Sequence, residues 1–208
     1  MTRPGVRARG AARRRAIVEA ALTLLGRGGS GAVTHRSVAA EADVPLAATT
    51  YYFRTKDEIV LDAFALAMTE DVAALGAVEP LDADEPPTVP QVAAWLASIL
   101  LPDFEDDRTA RLVLLELEIE AARRPELAPM SRAWTDAYVR AVAPALDRLG
   151  SHDPERDAWI VVTALEGMKL ELLASGERDP ESVLLPAIER LLGALVGKRP
   201  QVTSSPLT

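Results

Sequence analysis

The chain has 208 residues, no cysteine, two histidines and a formal net charge of −8. That length supports a sizeable core, and the missing cysteines exclude a disulfide framework, a thiolate metal site and a cysteine nucleophile. No run of ~18 apolar residues occurs, so no membrane-spanning helix is expected. The opening MTRPGVRARGAARRR has arginines but no apolar stretch and does not read as a secretory signal. A cytoplasmic protein is expected.

The charge is unevenly spread. Residues 1–56 hold ten basic side chains against Glu19, Glu41 and Asp43, formally +7, which leaves −15 for the remainder. A basic head on an acidic body fits a chain that meets phosphate at one end only.

Residues 1 to about 10 are rich in arginine, glycine and proline and read as an arm outside the helices, able to touch phosphate or the minor groove. Ala11 to Arg27 reads as the first helix, with Ile17, Ala21, Leu24 and Leu25 as its apolar stripe. Gly28, Gly29 and Gly31 end it. Thr34 is a suitable N-cap for a second helix carrying Val38, Ala39 and Ala42. Asp43 falls where the chain must turn, and Asp tolerates the left-handed region better than most residues. Pro45 suits the first turn of a third helix.

Asp57 and Glu58 open a fourth helix, running to about Ala77, with Ile59, Val60, Ala63, Phe64, Ala67 and Met68 on one face. Pro80 to Pro90 is an acidic, proline-rich break. Thr88 can cap a helix to Leu101 bearing Val92, Trp95, Leu96 and Ile99. Arg108 to Arg123 is expected to be helical despite its alternating LELEIE run, because leucine, glutamate and arginine favour helix. Pro125 starts the next helix, Glu126 to Leu149, where Pro144 should introduce a kink. Asp153-Pro154 and Asp179-Pro180 each pair a cap with a first-turn proline, opening helices to Ala174 and to about Lys198. The tail 199–208 is expected to be disordered.

Two short helices joined by a tight turn, the second rich in hydroxyls and aromatics, describe a helix-turn-helix. Thr34, Val38, Ala39, Ala42, Val44, Tyr52, Phe53 and Lys56 stand at the offsets of T-x-x-x-I-A-x-x-A-G-V-S-x-G-x-x-Y-x-Y-F-x-x-K. The segment therefore resembles the DNA-binding domain of the TetR family of bacterial transcriptional regulators. Asp43, Pro45, Ala47 and Thr50 depart from that pattern, which replaces the usual turn glycine and serine cap.

The resemblance implies DNA contacts from Thr34, His35, Arg36, Pro45, Leu46, Ala48, Thr50, Tyr51, Tyr52 and Lys56, with Thr49 and Phe53 turned to the core. No Asn, Gln or Arg lies on the third helix, so strong bidentate base contacts from it are not expected. Specificity would rest on Arg36, apolar contacts and DNA shape. The resemblance further implies an all-α fold of about nine helices: a head over 1–56 and a ligand-binding and dimerising body over 57–198. A mostly apolar ligand is expected among Trp95, Ile99, Phe104, Leu114, Leu117, Glu118, Trp134 and Tyr138.

The last two long helices supply an apolar pattern for a homodimer: Trp159, Val162, Leu165 and Met168, then Leu184, Ile188, Leu191 and Leu195. His35 and His152 have no second ligand at metal spacing. The acidic Asp103, Glu105, Asp106 and Asp107 lack the order of a calcium loop, and no serine sits in a nucleophile elbow. Neither a metal, a cofactor nor an enzymatic activity is expected. The expected function is a repressor released from a palindromic operator by a small molecule. The alternative is a helical ligand-binding or interaction protein without specific operator binding.

Overall fold

The computed structural model describes residues 4–81, 85–105, 108–176 and 179–196, and these contain helices and connecting turns but no strand. Ten α-helical segments follow one another: α1 Pro4–Gly28, α2 His35–Glu41, α3 Leu46–Tyr52, α4 Lys56–Ala77, α5 Val89–Leu100, α6 Pro102–Glu105, α7 Arg108–Arg123, α8 Ala128–Leu149, α9 Pro154–Ser175 and α10 Pro180–Val196. Setting aside the four-residue α6, nine helices remain among the described residues, as the sequence leads one to expect.

The helix boundaries are set by local chemistry. Thr34 and Ser37 close a reciprocal capping box at α2, with Ser37 N–H on Thr34 Oγ1 at 3.0 Å and Thr34 N–H on Ser37 Oγ at 2.9 Å. Asp43 takes φ +50°, the left-handed turn expected of it. Asp153 caps α9 by accepting from Arg156 N–H, and Gly176 ends it at φ +70°.

Four expectations are corrected. The arm does not stay outside the helices, for α1 begins at Pro4, whose fixed φ suits a first turn. Pro45 is the N-cap of α3 rather than its first residue, because its ψ of 142° is extended. The proline-rich break ends at Thr88, so Pro90 falls in the first turn of α5. Pro125–Leu127 is a 3-10 turn ahead of α8 rather than α-helix. Pro186 lies inside α10, unforeseen from the sequence. Residues 198–208 and Asp106–Asp107 lie outside the described residues.

The chain divides into two compact units, Met1–Glu79 with Leu100–Tyr138, and Pro80–Ile99 with Val139–Thr208. In the first, α1 packs against α2, α4 and α7. Ile17, Ala21, Leu25, Val38, Phe53, Phe64, Val113, Leu117 and Trp134 share one buried cluster. The packing therefore has no break at residue 56: helices on both sides of it bury the same apolar surface. In the second unit α9 packs on α10, and Val142, Leu146, Val161, Leu165, Leu172, Leu184 and Ile188 are buried. There Arg148 donates to the carbonyls of Leu81 and Glu85, tying the acidic connection down to α8.

The join between α1 and α2 depends on a glycine. Gly29 has φ +65° and ψ −170°, a region open essentially to glycine alone. A Cβ there would stand 2.6 Å from Glu116 Oε1. That same oxygen accepts from Ser30 N–H at 2.9 Å, so a carboxylate of α7 holds the loop that leads into α2. Gly29→Ala should destabilise the fold by about 1–3 kcal/mol, read as a lower urea midpoint; an unchanged midpoint would show that the loop relaxes without strain.

Candidate nucleic-acid interface

α2 and α3 are each seven residues long, too short to hold themselves in water. Their geometry comes from what they bury. Val38 and Ala39 of α2 and Thr49 of α3 face inward. Thr49 is fully buried, and its hydroxyl donates to Leu46 O at 2.8 Å. A lone pair is then left for His35, whose Nδ1 lies 3.1 Å away. The first residue of α2 is thereby fastened to the middle of α3. Phe53 is 2% exposed, with the Arg14 guanidinium 4.9 Å above its ring. Thr49 and Phe53 are thus core residues, as the family pattern implies.

The outward face gathers most of the expected DNA-contacting set. Thr34, Arg36, Pro45, Leu46, Thr50, Tyr51 and Lys56 are exposed, while His35, Ala48 and Tyr52 are half-buried. Tyr51 is 81% exposed. Its ring stands edge-on to that of Tyr52 at 5.0 Å. Lys56 is the first residue of α4, where Thr55 accepts from Glu58 N–H. A positive helix end and a lysine there suit a phosphate. Thr55 as the cap of α4 went unnoticed in the sequence, although a threonine three residues before a glutamate is a capping signature.

The expected ligand residues are divided between the two units. Trp95 and Ile99 belong to the second unit, and Phe104, Leu114, Leu117, Glu118, Trp134 and Tyr138 to the first. Leu117 is buried in the core cluster, Phe104 and Glu118 are half-buried, and the buried carboxylate of α7 is Glu120, paired with Arg123 at 3.2 Å. Within the first unit a cavity of about 370 Å³ lies between α1, α4 and α7, lined by Glu19, Leu22, Glu70, Asp71, Arg111 and Leu114 among others.

Asp71, absent from the sequence-based set, organises the wall of that cavity. It accepts from Arg111 Nη1, Trp134 Nε1 and Tyr138 Oη, each at 2.7 Å. Its side chain is 9% exposed and that of Arg111 15%. The two rings meet edge to face at 5.4 Å. The polar tips of Trp134 and Tyr138 are therefore already used within the protein. No spacing rule links residues 71, 111 and 134, which is why the sequence did not reveal them.

A helix-turn-helix with an exposed aromatic and basic face, set on α-helical units, defines a DNA-binding transcriptional regulator. The chain belongs to the TetR family. Residues 17–63 match the model described as bacterial regulatory proteins, tetR family, and residues 87–196 match that of the tetracyclin repressor-like C-terminal domain. A TetR-family member from Streptomyces coelicolor A3 is similar at 32% identity over 86% of this chain and 97% of that one, with a TM-score of 0.68. The multidrug binding protein EbrR, complexed with proflavin, is 31% identical over 86% of this chain and 99% of that one, TM-score 0.63. A transcriptional regulator from a Rhodococcus species shares the fold at 22% identity and a TM-score of 0.74, over 88% of this chain and 95% of that one. No curated protein matches the chain.

Thr49→Val keeps the volume of the side chain but removes its hydroxyl. The loss of the His35 tie should cost about 0.5–1.5 kcal/mol of stability and weaken DNA binding several-fold, with helix content by circular dichroism unchanged. Unaltered DNA affinity would mean that α2 and α3 are held in register by apolar packing alone.

Proposed function

We propose that the protein is a repressor that binds a palindromic operator as a homodimer and leaves it when a small molecule binds. The observation that carries this reading is α4. It begins at Lys56 on the outward face and reaches Asp71, bonded to α7 and α8, fifteen residues and about 22 Å later. A shift of α7 or α8 that moves Asp71 would therefore be felt at Lys56. Ligand and DNA then favour different placements of one helix, and their coupling is reciprocal. Residues 1–56 serve as the head and 57–198 as the regulatory and dimerising part, and the protein acts in the cytoplasm. No described helix is long and apolar enough to cross a membrane.

The ligand is a mostly apolar small molecule, and kinship with EbrR, solved with proflavin and with ethidium, supports one. The cavity beside Asp71 has three carboxylates, Glu19, Glu70 and Asp71, against two guanidinium groups, Arg111 and the Arg15 that pairs with both glutamates. That excess of negative charge favours a ligand with a positive group. Trp95 and Ile99 offer apolar surface for a ligand in the second unit.

The dimer surface differs from the one expected. Val162, Leu165, Leu184 and Ile188 are buried inside the single chain and belong to its core. Trp159, at 54% exposed, Leu170 and Val183 are the large apolar side chains that α9 and α10 leave open. Together with Met168, Leu191 and Leu195, which are half-buried, they supply the isologous contact. Trp159→Glu should raise the dissociation constant of the dimer well above that of the wild type in sedimentation equilibrium. A wild-type species of 22.3 kDa at micromolar concentration would remove the dimer altogether.

The repressor reading is tested with a reporter placed behind the DNA upstream of the protein's own gene. Expression should fall when the wild-type protein is supplied and stay high with Lys56→Ala, whose fold should be intact because Lys56 is exposed. Equal expression with and without the wild-type protein would refute repression at that site.

A further inference from the structure

α3 presents two different sides. At about 100° per residue, Leu46, Thr50, Ala47 and Tyr51 follow one another around an arc of about 140°. All four are exposed. Ala48, Tyr52 and Thr49 fill the rest of the circumference. Thr49 is fully buried and Ala48 half-buried. Tyr52 packs against the core cluster, and a Cβ on Gly10 of α1 would lie 3.5 Å from its hydroxyl. Ala47, absent from the sequence-based set, is thus part of the outward arc.

That arc is apolar. Leu46 is 48% exposed, and Ala47 adds a methyl group. Thr50 donates its hydroxyl proton to Ala47 O at 3.2 Å, so this donor is already used. What Thr50 still offers a partner is its methyl group and a hydroxyl lone pair. Tyr51 carries the remaining hydroxyl donor at one edge of the arc. Charge lies to either side in the chain, on Arg36 before α3 and on Arg54 and Lys56 after it, all exposed.

In the major groove the base edges present hydrogen-bonding groups and one apolar feature, the C5-methyl of thymine. A side chain without a free donor gains nothing from the acceptors of guanine, but it gains by covering a methyl group. We propose that α3 recognises DNA through thymine methyl groups, covered by Leu46, Ala47 and the methyl of Thr50. The occupant follows from the chemistry of the arc and from its continuity with exposed positive charge that suits a duplex. The inference rests on the docking of the helix-turn-helix on DNA and names what is read there. Each half-site then holds thymines where α3 enters the groove. A guanine or cytosine in their place sets the apolar arc against unsatisfied polar edges.

The test uses a duplex selected from a random pool for tightest binding by the full-length wild type. It is compared with the same duplex carrying deoxyuridine for thymidine, which pairs alike and lacks only the methyl. The wild type should bind the uracil duplex about fourfold more weakly for each methyl covered. Leu46→Ala should weaken binding to the thymine duplex and leave binding to the uracil duplex nearly unchanged. Its thymine-to-uracil ratio should thus fall by at least about fourfold, with helix content by circular dichroism as in the wild type. A duplex with 7-deazaguanine for guanine, which lacks the N7 acceptor, should bind the wild type as well as the unmodified one. Equal wild-type affinity for the thymine and uracil duplexes overturns the proposal and leaves the docking intact. A Leu46→Ala loss of equal size on both duplexes does the same. A pool that yields no enriched sequence refutes specific docking, and the proposal with it.

Discussion

Asp71 is a carboxylate drawn almost out of water and compensated by three donors from two other helices. A buried charge on its own would cost several kcal/mol. With a guanidinium, an indole N–H and a phenol hydroxyl on it, the charge is satisfied, and the geometry of α4 against α7 and α8 is specified at one point. Apolar packing holds these helices together but tolerates sliding; directional bonds of 2.7 Å do not. Because α4 also supplies Lys56 to the outward face, the same bonds set where the head begins.

The first unit contains a second link of this kind. Glu116 of α7 accepts from Ser30 N–H, at a glycine whose conformation leaves no room for a side chain. One carboxylate on α4 and one on α7 thus fasten the body helices to each other and to the entry of α2. Between α1, α4 and α7 the carboxylates of Glu19, Glu70 and Asp71 are paired with arginines while about 370 Å³ stays open. Open volume beside a bonded junction is where a ligand gains most leverage, since displacing a donor changes helix position as well as local contacts.

The charge asymmetry of the chain acquires a structural meaning here. The head's formal excess of +7 is not all available to DNA. Arg14, Arg15 and Arg27 are engaged with Asp62, Glu70 and Glu41, pairs exposed enough to contribute little stability each but sufficient to orient their side chains. Of the other basic residues of the head, Arg13, Arg36, Arg54 and Lys56 are exposed.

The sequence by itself determined the order of the helices and several of their ends, and its helix-turn-helix pattern pointed to the family. Thr34, Asp43, Asp153-Pro154 and Gly176 act through hydrogen bonds and dihedral limits within a few residues, so their effect is written locally. The buried and exposed sides of α3 were legible for the same reason, since a helix of seven residues that buries Thr49 presents Tyr51. The ligand and dimer sets were less so. Apolar periodicity marks a face that will be covered, and it cannot say whether the cover comes from the same chain. Val162, Leu165, Leu184 and Ile188 proved to be covered from within, leaving Trp159, Leu170 and Val183 outside. Asp71 with Arg111, Trp134 and Tyr138, and Glu116 with Ser30, unite residues 40 to 86 positions apart. Only the tertiary packing of α1, α4, α7 and α8 brings such groups within hydrogen-bonding distance, and no local rule encodes that.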